Sequence, residues 1–216
     1  MDPLHFCIAM VPLAVYLLML GMLNLRRTPF VTSGARDAAA VGIGISGLVI
    51  AGPMELFMPQ AAASHYGAFV WLMMLAFYGL LVSLIVLLMR TRIVIYNISP
   101  EQLRPLLTDI AKKFDSSSRW AGDSLLIPAQ QIHLHLETVH WCKNVQLVSS
   151  GSQQSFEGWR KLERHLKKSV TTVEVGPNLF SFPLLVTSAV LAAVTLIWML
   201  SDKEAVVSAF KNMSEF

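Results

Sequence analysis

The chain has 216 residues, of which 54% are hydrophobic and only 14% charged, and its formal net charge is +3. An ordinary soluble domain carries roughly 25% charged residues, so the composition speaks against a wholly soluble protein and for a membrane protein. The two cysteines, Cys7 and Cys142, fall in an apolar run and in a polar segment, and exclude a disulfide framework.

Leu4–Leu25 carries no charge, is interrupted by Pro12 and is ended by Arg26 and Arg27. At 1.5 Å per residue it is long enough to cross a hydrocarbon core of about 30 Å. Its basic pair follows the apolar run instead of preceding it, which favours a retained helix over a cleaved signal peptide. Thr28–Asp37 reads as a turn, marked by Pro29, Ser33 and Gly34.

Ala38–Met58 is the second expected span. Gly42, Gly44, Gly47 and Ala51 give it a small-residue surface suited to close helix packing, within the chain or between copies of it. Gly52–Pro53 is expected to kink its outer end. Gly42-x-Gly44-x-x-Gly47 also matches a dinucleotide fingerprint by letter. That motif needs a preceding strand and a turn open to water, so here it predicts packing and no cofactor. Pro59–Ser64 is a connection without Lys or Arg, and Tyr66–Met89 is the third span, stopped by Arg90 and Arg92. Residues 1–89 thus read as three transmembrane helices, at about 4–25, 38–58 and 66–89.

Residues 90–178 form the one long polar stretch. Arg92–Ile98 is rich in β-branched residues and predicts a strand. Ser99-Pro100-Glu101-Gln102 is a helix start with a capping box, and Leu103, Leu106, Leu107, Ile110, Ala111 and Phe114 make one apolar face. After a loop at Asp115–Gly122, Asp123–Ile127 predicts a short strand. Gln131–Thr138 alternates strictly, with Ile132, Leu134 and Leu136 on one face and His133, His135 and Glu137 on the other. Asn144–Ser149 predicts another strand. Gln153–Lys168 predicts an amphipathic helix with Phe156, Trp159, Leu162 and Leu166 facing inward. The fold class expected is membrane α-helical with four spans and an inserted α+β domain. The domain's order is β-α-β-β-β-α, with a mainly antiparallel sheet and two helices on one face. Residues 179–200 make the fourth span and 201–216 a short tail, whose Val206, Ala209, Phe210 and Met213 fall at helical spacing.

All but Lys203 and Lys211 of the 17 Lys and Arg residues lie in the first connection or in residues 90–178. Positive segments stay in the cytoplasm. The expected address is therefore the inner (cell) membrane of a bacterium, with both termini outside and residues 90–178 cytoplasmic.

Three places carry candidate chemistry. Glu55 is the one acid inside an apolar run; such a carboxylate is costly and a functional candidate, with His5, Cys7 and His65 expected at similar depth. His133 and His135, with Glu137, His140 and Cys142 nearby, have donor types suited to zinc or copper. Strict strand alternation accounts for the first three as the wet side of a sheet, so no metal is expected. Arg160, Lys161, Arg164, Lys167 and Lys168 form a basic helix face suited to anionic lipid headgroups. No ordered aromatic-basic motif points to nucleic acid. No nucleophile elbow, phosphate loop or HExxH is present, so the expected role is non-enzymatic. It is a membrane scaffold or accessory subunit, with the bilayer and a partner protein or second copy as its associates. An exposed apolar patch on the sheet would favour that role, and its absence would weaken it. The competing role is a small transporter or channel subunit, or a sensor, using Glu55.

Overall fold

The computed structural model describes residues 3–57, 65–67, 69–139, 143–152, 154–201 and 206–208. In chain order its elements begin with α1 (Pro3–Leu25), β1 (Phe30–Ser33) and α2 (Gly34–Val49), the last continued by a π-helical turn at Ile50–Met54. Then come α3 (Phe69–Leu88), β2 (Arg92–Tyr96), α4 (Pro100–Phe114), β3 (Arg119–Ala121) and β4 (Ser124–Ile127). After a 3-10 turn at Pro128–Gln130 follow β5 (Ile132–Val139), β6 (Asn144–Ser149), α5 (Phe156–Val170) and α6 (Ser181–Ser201). The chain divides into two compact units, one of Met1–Leu20, Ala38–Leu88 and Pro183–Phe216, the other of Gly21–Asp37 and Met89–Phe182.

The first unit is built from helices α1, α2, α3 and α6, each long and apolar enough to cross a membrane. Their contacts are made through small residues. A Cβ on Gly47 would lie 2.0 Å from the Ile8 carbonyl oxygen, one on Gly44 2.8 Å from Tyr16 Cβ, and one on Gly42 2.8 Å from Val82 Cγ1. Gly42, Gly44 and Gly47 therefore seat α2 against α1 and α3 of the same chain. Tyr78 donates to the Gly42 carbonyl at 2.6 Å and Ser188 to the Ala14 carbonyl at 2.8 Å. The expected disturbance at Gly52–Pro53 takes the form of the wide π-helical turn, in which Ala51 and Pro53 both lie. Proline supplies no N–H to the helical ladder, and a wider turn accommodates that loss.

The second unit is an antiparallel six-stranded sheet in the order β1-β2-β6-β5-β4-β3, with α4 and α5 packed on one face. Val31, Ile93, Ile95, Val145, Leu147, Leu136, Leu134, Ile132, Leu125 and Ile127 point into one core. There they meet Leu103, Leu107 and Ile110 of α4 and Trp159, Leu162 and Leu166 of α5. The capping box at Ser99 and Gln102 is formed.

Two strands correct the sequence expectation. Phe30–Ser33 is no turn: it pairs with β2 in the register Val31↔Ile95 and Thr32↔Val94. Ser33 then caps α2 by accepting the Arg36 amide, so the helix begins four residues before the predicted span. Arg119–Ala121, expected as loop, pairs with β4 across a two-residue turn that needs the positive φ of Gly122. β2 stops at Tyr96 and not at Ile98, because Asn97 turns into the left-handed region at φ 59°. One helix residue is also corrected. Phe156 is 71% exposed, and Gly158 takes the inward position against the Gln130 carbonyl. Side-chain volume decides this, since an added Cβ at 158 would come within 2.5 Å of that oxygen. Pro59–Ser64, His140, Trp141, Cys142 and most of the 201–216 tail lie outside the described residues.

Candidate functional site

The second unit's most organised polar cluster sits where α2 starts. Ser33 ends β1 and caps the helix, which puts Asp37 in the first turn, where the helix dipole favours a carboxylate. Strand alternation carries Arg92, Val94 and Tyr96 of β2 to the sheet face opposite the core, and Gln146 of β6 pairs beside Val94. Tyr96 Oη donates to Asp37 Oδ1 in a short hydrogen bond. Arg92 Nη2 lies 3.8 Å from Asp37 Oδ2, and Arg92 Nη1 donates to Gln146 Oε1 at 3.4 Å. The stem of Arg92 runs against Gly34, where a Cβ would lie 2.0 Å from Arg92 Cγ. One residue earlier, Arg36 reaches Glu163 of α5 at 3.8 Å, and Lys167 holds the same carboxylate at 2.6 Å. On the other side of β1, Asn97 Nδ2 donates to the Arg26 carbonyl at 2.7 Å. The segment between α1 and α2 is thus tied to the sheet by a backbone ladder, an ion pair and side-chain hydrogen bonds.

Nothing in the sequence pattern singled out Asp37, Arg92 or Tyr96. The signal available was an acid flanked by arginines at the edge of an apolar run. The partner in β2 depends on a strand pairing that spacing does not reveal.

In the first unit, His5 Nε2 lies 3.3 Å from Glu55 Oε1. Glu55 follows the π-helical turn directly and its side chain is 47% exposed. The partner comes from α1 and is one of the residues expected at the depth of Glu55. Of the hydroxyls in the apolar helices, Ser46, Ser83 and Thr195 each donate to a carbonyl of their own helix, while Tyr78 and Ser188 reach a neighbouring helix.

His133 and His135 are exposed on the sheet's polar face, with Glu137 beyond them. Ser124 Oγ and His135 Nδ1 are 3.1 Å apart. Around His133, Gln154 accepts its amide and donates to its carbonyl. The Gln154 contacts are to the His133 backbone, whereas at His135 it is the ring that is engaged. Among the described residues no group of three or more His, Cys, Asp or Glu side chains is placed to hold a metal ion.

The basic residues on α5 do not act as one uniform face. Arg160, Lys161, Arg164 and Lys168 are exposed, while Lys167 is half-buried against Glu163. Asp115 accepts from the Ser117 hydroxyl and from the Ala129 and Ser117 amides, which hold its carboxyl below the usual carboxylate range. This carboxylate closes the loop before β3 and caps no cleft.

No protein-family model, curated protein or solved structure matches this chain. The functional reading therefore rests on the chain's own chemistry.

Proposed function

We propose that the protein is a four-span integral membrane protein acting as a non-enzymatic scaffold or accessory subunit. Its α+β domain is presented on the cytoplasmic side of a bacterial cell membrane. The observation that carries the reading is β1. The connection between the first two apolar helices is itself an edge strand of the sheet, paired with Arg92–Tyr96. Two segments in one hydrogen-bonded ladder occupy the same side of a bilayer. Four crossings then put both chain ends on the opposite side, in agreement with the arginines at 26, 27, 36, 90 and 92. A domain completed in this way is an integral part of the membrane protein and not a module on a free tether.

The domain's surface narrows the kind of partner. The strands carry no exposed large apolar residue among those described, and the face opposite the core shows His133, His135 and Glu137 to solvent. The absence of such a patch weakens the scaffold role, and apolar docking on the sheet is not the mode proposed. The partner is met through polar and charged side chains.

The test is affinity purification of the full chain from its native membrane in mild detergent. A stoichiometric partner that is retained by the wild type and lost from a His133→Asp/His135→Asp/Glu137→Lys variant supports the reading. A chain that purifies alone refutes it. A reporter fused at Phe216 that signals from the cytoplasm refutes the topology. The second reading, a sensor or small transport subunit, is favoured by the His5–Glu55 pair beside the π-helical turn. It predicts that Glu55→Gln abolishes function while leaving any partner bound.

A further inference from the structure

Five cations were expected to act alike on the outer face of α5, but two of them are engaged. Lys167 is held by Glu163 at 2.6 Å, and the Arg160 guanidinium sits 5.9 Å from the centre of the Phe156 ring. Lys161, Arg164 and Lys168 make no ion pair with any described residue. They line a cleft of about 110 Å³ together with His165. His165 is itself positioned, with its ring edge-on to Phe114 of α4 at 5.0 Å and 88°.

Like charges a helical turn apart repel one another. The helix dipole compensates cations in the last turn, which covers Lys168 but not Lys161 or Arg164. The nearest carboxylate on the same helix turn, Glu163, is already taken by Lys167 and Arg36. An anion in the cleft would satisfy all three cations. Arginine offers a planar fork to a phosphate, lysines add point charges, and a fixed imidazole adds an N–H donor. The volume suits one small oxyanion group.

We propose that Lys161, Arg164, His165 and Lys168 form a discrete binding site for a phosphate monoester. The phosphate is carried either by a membrane lipid headgroup or by a soluble phosphorylated molecule. This goes beyond a diffuse basic surface, because it assigns the site to four residues and leaves out Arg160 and Lys167. It does not depend on the scaffold reading.

The experiment uses the full chain in lipid nanodiscs and follows amine-reactive labelling of individual lysines by mass spectrometry. Lys112 and Lys113, exposed on α4, are internal controls. One arm adds inorganic phosphate to phosphatidylcholine discs. A second uses discs containing phosphatidic acid without free phosphate, and a third uses chloride at matched ionic strength. At a phosphate concentration about ten times the dissociation constant, labelling of Lys161 and Lys168 slows about tenfold, because only the free fraction reacts. Slowing in the first arm alone assigns a soluble ligand, and slowing in the second assigns a lipid headgroup. Arg164→Gln removes the protection while Trp159 fluorescence reports an intact fold. The proposal is overturned if neither arm slows Lys161 and Lys168 relative to the controls. Equal slowing of all four lysines, or protection that persists in Arg164→Gln, overturns it as well.

Discussion

Replacing Val31 by alanine tests whether the segment between the first two apolar helices is part of the sheet. Val31 is 5% exposed, pairs with Ile95 and lies in the core with Ile93 and Val170. Removing two methyl groups from a buried site forfeits roughly 1.6 kcal/mol at about 0.8 kcal/mol per carbon. The cavity left behind brings the loss to about 2 kcal/mol. That lowers the folded-to-unfolded ratio about thirtyfold, since each 1.4 kcal/mol is a factor of ten. If Phe30–Ser33 were a solvated turn, the same change would stay within about 0.5 kcal/mol. The measurement is a urea titration of the full chain in detergent micelles, followed by the fluorescence of Trp159, which is 3% exposed in the same core. A lower midpoint at unchanged slope is the expected result. A midpoint shift worth less than about 0.5 kcal/mol would sink the argument that β1 completes the domain.

Other outcomes follow from the same geometry. Gly47→Ala should destabilise the purified protein by about 1–3 kcal/mol, because the new Cβ meets the Ile8 carbonyl. Gly79→Ala, which meets nothing within 4 Å, should be neutral or stabilising by up to about 1 kcal/mol in thermal melts. Asp37→Ala should cost about 1–3 kcal/mol by stranding Arg92 and Tyr96. Adding Arg92→Met should cost less than the sum of the single changes, and strict additivity would show that the two do not interact. Ser99→Ala should cost about 1 kcal/mol in the urea assay through loss of the capping box. Asp115 gives a pH signature. Its folded carboxyl titrates below the usual range, so its contribution is complete above the unfolded value of about 3.9 and is lost as pH falls through the folded value. The stability gap between wild type and Asp115→Ala should therefore be constant near neutral pH and close in acid. A gap that persists at the acid end would contradict the hydrogen-bonding account.

Long periodic segments were legible from residues alone, and short ones were not. Four apolar runs, the α4 capping box and the strict alternation of β5 carry their signal within one segment. β1 and β3 have four and three residues. A pattern that short has no period, and their strand character comes from the neighbour they pair with. Phe30-Val31-Thr32 held a weak clue in its β-favouring side chains, but Pro29 and Gly34 outweighed it. The site followed the same rule. The basic face was visible as composition, but which cations were free depended on Glu163, Phe156 and Phe114, and these contacts are tertiary. Phe156 was misplaced because helical spacing counts apolar residues and ignores the room beneath them, which here admits only glycine.

The pairing of β1 with β2 also imposes an order on biosynthesis. β1 leaves the ribosome between two long apolar helices, well before its partner strand exists. Until Arg92–Tyr96 has been made, a matter of seconds at ordinary translation rates, its edge stays open and its valine uncovered. The strand between α1 and α2 is therefore held in reserve, and the sheet closes onto it afterwards. Slowed synthesis between the third helix and β2 would lengthen that exposure, making this connection the place where a chaperone or a stray strand would meet the nascent protein.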